Sequence, residues 1–212
     1  MAAVIERVRV AHLGLQPYES TLKAMREFTA TRSEETPDEL WLVQHPPVYT
    51  RGLAADARFG PKQDNGIPVV QVERGGEVTY HGPGQAIVYT LVDLARRGIK
   101  VRQFVAMLEQ SVIDLLGRAE SGAERAQRVA GAPGVYVNGA KVAALGIRVS
   151  KGCAFHGLAL NVDMDLAPFA AIDPCGHPGL RVTQTRDLGF DFSADAAGER
   201  LARLLAARID DA

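Results

Sequence analysis

The chain has 212 residues, a formal net charge of −1, 47% hydrophobic and 6% aromatic residues, enough to bury a real core as one domain over residues 1–212. The near-neutral balance leaves no electrostatic footprint for nucleic acid, and neither a basic patch nor an apolar run of spanning length points to a membrane. Met1 to Val10 interrupts its apolar residues with Glu6, Arg7 and Arg9, unlike a signal peptide, and the two cysteines, Cys153 and Cys175, make no disulfide framework. A cytoplasmic, reducing location is therefore expected.

Val4 to Leu13 reads as a first strand, and Pro17 opens a helix to about Arg32 with Leu22, Met25 and Phe28 on one stripe. Leu40 to Gln44 is a second strand, closed by His45-Pro46-Pro47, and Val48 to Gly52 is a return segment. His45 is open to two readings, lining a site or capping a strand end. Leu53 to Pro68 is polar and rich in glycine and proline, a surface loop. Val69 to Val72 and Ala86 to Val92 are β-type runs enclosing Gly75, Gly76, Gly82, Pro83 and Gly84 together with Arg74, Thr79, Tyr80, His81 and Gln85. That segment is either a hairpin with an elaborate turn or a place where a ligand approaches bare backbone beside a cation and an imidazole.

Val101 to Gly117 carries apolar residues at helical spacing with Gly117 as a stop. Strands resume at Gly134 to Val137, Ala140 to Val149 and Phe155 to Val162, the first two joined by Asn138-Gly139, a strong hairpin signal. Asp163 to Ala170 is a short helix or turn, Ala171 to Gly179 a loop, and Ala194 to Ile209 a terminal helix. The expected fold is α/β of the α+β type, a mixed β-sheet with flanking helices, because the central strands follow one another without intervening helices.

Cys175 lies between Pro174 and Gly176 in a segment with no hydrophobic period, which argues for a thiol at the surface of a cavity rather than in a core. A thiol attacks as thiolate, so a nucleophilic role requires a neighbouring base or positive charge. Both His177 and Lys141 qualify. Lys141 shares strand parity with Ala143, Leu145, Ile147 and Val149, so it points to their apolar side, where desolvation favours the neutral amine; alternatively it snorkels out beside the turn. The small residues Ala144, Gly146, Gly157 and Ala159 in adjacent strands make either ordinary close packing or a slot for a linear apolar chain. Cys153-x-x-His156 with Cys175-x-His177 supplies a zinc-type ligand set, although the second pair is more tightly spaced than zinc sites usually are.

Arg74-Gly75-Gly76-Glu77-Val78-Thr79-Tyr80-His81-Gly82-Pro83-Gly84-Gln85 resembles the signature of the lipoyl(octanoyl) transferases, the octanoyl carrier-protein:protein transferases of lipoate biosynthesis. His45 to Thr50, Gly134 to Val137, Lys141 with Ala144 to Arg148, His156 to Asn161, and Pro174-Cys175-Gly176 resemble further family segments in the family's order. The resemblance implies the catalytic fold shared with biotin and lipoate protein ligases, with no cofactor and no metal. It also implies transfer of an octanoyl group from octanoyl-acyl carrier protein to a lysine of lipoyl domains, those of 2-oxo acid dehydrogenases and the glycine cleavage H protein. Cys175 matches the family's acyl-thioester nucleophile and Lys141 the lysine that lowers its pKa. Arg74, Gly75, Gly76, Glu77, Val78, Thr79, Tyr80 and His81, with Ala144, Leu145, Gly146, Gly157, Leu158 and Ala159, match substrate-binding positions. Asp173 stands where the family has asparagine, a carboxylate that opposes thiolate formation if it faces the sulfur. The rival readings are an ATP-dependent lipoate or biotin ligase on the same fold and a zinc-stabilised, non-catalytic binding module.

Overall fold

The computed structural model describes residues 7–56, 60–62, 64–117, 126–173 and 179–212. Ten strands and three α-helices are assigned among them: β1 Arg9–Leu15, α1 Tyr18–Thr31, β2 Glu39–Gln44, β3 Val48–Arg51, β4 Val69–Gln71, β5 Val78–His81, β6 Gln85–Asp93, α2 Val101–Leu116, β7 Gln127–Val129, β8 Ala132–Val137, β9 Ala140–Ser150, β10 Cys153–Asn161 and α3 Ala194–Asp210. They form a seven-stranded sheet in the order β1-β2-β6-β10-β9-β8-β7 and a three-stranded sheet in the order β4-β3-β5.

The large sheet is antiparallel except for β1 and β2, which run parallel because α1 crosses between them. Strands β6 and β10 are buried almost throughout, since helices cover both of their faces. Val88, Val92, Ala154, Leu158 and Leu160 pack toward α2 and α3, with Leu108, Val112, Leu201 and Leu205. Ile87, Tyr89, Leu91, Phe155 and Ala159 pack toward α1, with Tyr18, Leu22 and Met25. A third cluster, Tyr49, Val78, Tyr80 and Phe169, fills the space between the small sheet and a 3-10 helix at Ala167–Ala171.

Most expected elements stand within a residue or two of their predicted bounds. The Asn138-Gly139 turn has positive φ at both residues, 51° and 72°, the geometry of a two-residue hairpin. The hairpin reading of Val69 to Val92 does not hold: β4 and β6 belong to different sheets, and Val78–His81 is a strand in its own right. Alternation is masked there because all its residues are buried. Strand β7 was also not legible, being short and exposed throughout.

The chain is tied near its N-terminal half by Asp38, fully buried, whose carboxylate accepts from Arg32, Arg96, Arg97 and the Asp93 amide. Burial pushes this carboxyl up, but the hydrogen bonds from Arg97, Asp93 and Arg32 outweigh it and hold it below its ordinary value. No helix among the described residues is long and apolar enough to cross a membrane.

Candidate active site

Between the small sheet, α1 and the large sheet lies a narrow cavity of ≈ 50 Å³ lined by Arg74, Gly76, Glu77, Val78, Thr79 and His81 on one side and by Ala144, Leu145, Gly146, Gly157, Leu158 and Ala159 on the other. A wider cavity of ≈ 340 Å³ adjoins it, lined by Gly75, Val105, Leu108, Pro133, Lys141 and Ile147. The two share Gly76, Glu77, Leu145 and Gly146. Far apart in the chain, the glycine signature and the small-residue strands thus meet at one place; of Arg74 to His81, Tyr80 alone turns away, its ring against Tyr49 and Phe169.

The glycines make this approach possible. The Gly75 amide donates to the Ile147 carbonyl at 3.0 Å, so the signature loop docks on the edge of β9. A Cβ at Gly146 would stand 2.9 Å from Arg74 Cδ and 3.1 Å from the Gly75 carbonyl oxygen. A Cβ at Gly157 would stand 2.1 Å from the Val88 carbonyl oxygen, inside the central ladder. Arg74, buried, spends its guanidinium on the Thr50 carbonyl and hydroxyl, at 2.8 and 2.9 Å, and on the Gly75 carbonyl at 3.0 Å. It holds the loop's shape at least as much as it faces the cavity.

Lys141 is only 3% exposed, so the snorkelling alternative falls away. Its Nζ donates to the Pro133 carbonyl at 3.1 Å and sits 5.2 Å from the Tyr136 ring centroid. Gly134 leaves room for it, since a Cβ there would lie 3.3 Å from Nζ. The Lys141 amide donates to Arg181 and the Thr183 amide donates to Lys141. The strand carrying the lysine is thereby laced to the segment that follows the cysteine loop. Cys175 and His177, with residues 174–178, lie outside the described residues. Asp173 is described, and its carboxylate accepts from the Lys62 ammonium at 3.0 Å, so its charge has a partner other than a sulfur.

His81 presents a neutral ring to the narrow cavity. Gln85 Nε2 donates to the Tyr80 carbonyl and to Asn161 Oδ1, so Gln85 Oε1 is the acceptor and His81 Nδ1, 2.7 Å away, carries the hydrogen. Asn161 in turn donates to the Thr183 carbonyl at 3.0 Å. A hydrogen-bonded chain therefore runs from the cavity ring to the segment beside Lys141. Burial first, then the nearby His45, pushes the His81 pKa down to about 3. His45, fully buried, is a satisfied core residue bonded to the Gln16 carbonyl and the Tyr89 hydroxyl. Tyr18, which stacks on His81 at 5.8 Å, and Tyr89 also line the cavity; nothing local in the sequence marks either, because both reach it from core positions.

His156 departs from strand parity. Alternation with Leu158 and Leu160 would turn it toward α2 and α3, yet its φ of 63° swings the ring to the opposite face. There it stacks on Phe155 at 5.0 Å, stands edge-on to Tyr89 and lines the narrow cavity. Neither ring nitrogen has a hydrogen-bond partner among the described residues, and the residue is 1% exposed. The backbone strain and each unpaired nitrogen cost ~1–3 kcal/mol. Burial pushes its pKa down to about 4, so the ring is neutral. Cys153 faces different surroundings, its sulfur directed to the Lys151 carbonyl, and no group of three metal-ligating side chains stands together among the described residues.

A family model described as the lipoyl protein ligase A/B catalytic domain matches residues 17–206. An octanoyltransferase of Dechloromonas aromatica is 55% identical over 95% of this chain and 96% of its own length, and one of Thiobacillus denitrificans is 59% identical over 88% and 84%. Among solved structures, a lipoate-protein ligase A bound with ATP superposes with a TM-score of 0.74 at 16% identity, over 97% of this chain and 86% of its own. A biotin protein ligase from Aquifex aeolicus reaches 0.53 at 11% identity, over 98% and 71%. The distant structures share the fold and do not separate ATP-dependent ligation from transfer; the close relatives do. The chain belongs to the octanoyltransferases, acyltransferases of lipoate biosynthesis within the lipoyl protein ligase A/B catalytic family.

Proposed function

We propose that this protein, as one catalytic domain in the cytoplasm, moves an octanoyl group from octanoyl-acyl carrier protein to a lysine of lipoyl domains, those of 2-oxo acid dehydrogenases and the glycine cleavage H protein, through a thioester on Cys175. Lys141 takes the Cys175 proton; the thiolate attacks the donor thioester carbonyl; the tetrahedral adduct collapses as the carrier thiolate leaves and regains the proton from Lys141. The acceptor lysine's neutral amine then attacks the enzyme thioester, Lys141 takes the proton that the nitrogen sheds, the Cys175 thiolate leaves and regains that proton from Lys141, and an amide remains. Thioester exchange followed by amide formation runs downhill without ATP. Backbone N–H groups near the glycines hold the oxyanion, the glycine signature and the strands at Ala144–Gly146 and Gly157–Ala159 bind the acyl group, and neither metal nor cofactor takes part.

What carries this reading is the buried amine of Lys141 at the wider cavity, on a strand bonded through Arg181 and Thr183 to the chain leaving the cysteine loop. The expected outcome on mixing with octanoyl-carrier protein is an octanoyl adduct in the intact mass, discharged on adding a lipoyl domain, and absent in Cys175→Ala. An adduct persisting in that variant removes Cys175 from the role. Product formation from free octanoate only with ATP assigns the protein to the ligases instead.

A further inference from the structure

We infer that His156 sets the acyl chain length, its ring closing the far end of the slot that the alkyl chain enters from beside Lys141; this rests on the thioester reading above. The register carries the measure. Val135 pairs with Ala143, so Gly134 and Pro133 fall beside Ala144 and Leu145. The Lys141 amine, bonded to the Pro133 carbonyl and packed on Gly134, therefore sits at the level of Ala144 to Leu145 rather than at its own Cα. His156 pairs with Ile147, two to three residues farther, or roughly 7–10 Å along the strand. Three chain bonds span ~3.5 Å, so the seven C–C bonds of an octanoyl chain span roughly 8 Å.

The two cavities share Gly76, Glu77, Leu145 and Gly146 as a common wall, and the narrow one has the volume of only one or two waters, ≈ 50 Å³ against ~30 Å³ each. The ring that ends it is held there at the expense of ordinary backbone geometry, with its carbonyl tied by the Thr90 hydroxyl at 2.8 Å. Both ring nitrogens are closed off from solvent and lack a partner among the described residues, so the ring is a packed wall of that space. A chain two carbons longer must push that packed ring aside, a discrimination of roughly 10- to 100-fold.

The test offers the enzyme equimolar octanoyl- and decanoyl-carrier protein and reads the ratio of the two adducts by intact mass. The octanoyl adduct should dominate in the unmodified protein, and His156→Gly, which relieves the backbone and opens the slot, should raise the decanoyl share at least about tenfold. His156→Asn, whose shorter side chain tolerates the left-handed backbone, should raise it too and decides the matter if the glycine variant does not fold. An unchanged ratio in a folded variant overturns the inference. Absence of any adduct in the unmodified protein overturns the thioester reading instead.

Discussion

At the scale of single residues, the chemistry assigned to Lys141 depends on an amine kept out of water and pointed at a carbonyl that a shorter or apolar side chain would leave unpaired. Lys141→Met is expected to shift the alkylation of Cys175 by iodoacetamide to higher pH and to slow transfer by at least ~100-fold. An unchanged alkylation profile would detach the lysine from the thiol. The glycines separate shape from chemistry. Gly157→Ala drives a methyl into the Val88 carbonyl within the central ladder, and a loss of about 3 kcal/mol is expected from chemical denaturation.

At the scale of elements, the site is a contact between a loop and a strand edge. The Gly75 amide on the Ile147 carbonyl and the Arg74 guanidinium on Thr50 fix the signature loop between the small sheet and β9. Gly146→Ala pushes Arg74 and Gly75 off that edge while leaving the central strands alone. The expected result is a raised KM for the acyl donor with a smaller stability loss than Gly157→Ala, checked by steady-state kinetics and thermal unfolding. Equal damage to both properties would mean that the loop is part of the core rather than a wall of the cavity.

For the molecule as a whole, two sets of buried groups tie stability to pH. His81 and His156 are held neutral, with pKa values pushed down from 6.5 to about 3 and about 4 by burial, and His45 is lowered too. Below pH 6.5 the unfolded chain takes up protons on these rings that the folded protein refuses, so their contribution is whole above that pH and is lost as pH falls toward the folded values. Asp38 acts at lower pH in the same direction, its depressed carboxyl contributing above the unfolded value and failing as pH falls through the folded one. The urea midpoint should therefore be lower at pH 5 than at pH 7; a flat profile would contradict neutral burial of the histidines. Asp38→Asn leaves the buried guanidinium of Arg32 without its counter-charge, while Arg97 keeps Asp210, and should cost about 3 kcal/mol.

Much of this was legible in the chain itself. Periodicity marked α2 because one stripe of Phe104, Leu108, Val112 and Leu115 is buried, and Asn138-Gly139 marked its hairpin because few residues accept positive φ twice running. Lys141, expected on the apolar side of its strand, is buried. The side chains that meet across the cavity were another matter. Tyr18 and Tyr89 reach it from a helix and a central strand, and Tyr80 leaves it for a different core, through sheet packing that no local pattern encodes. His156 shows the limit most clearly: alternation assigns a strand residue its face only while φ stays in the extended region, and a single left-handed residue, held by the surrounding tertiary structure, carries its ring to the other side of the sheet.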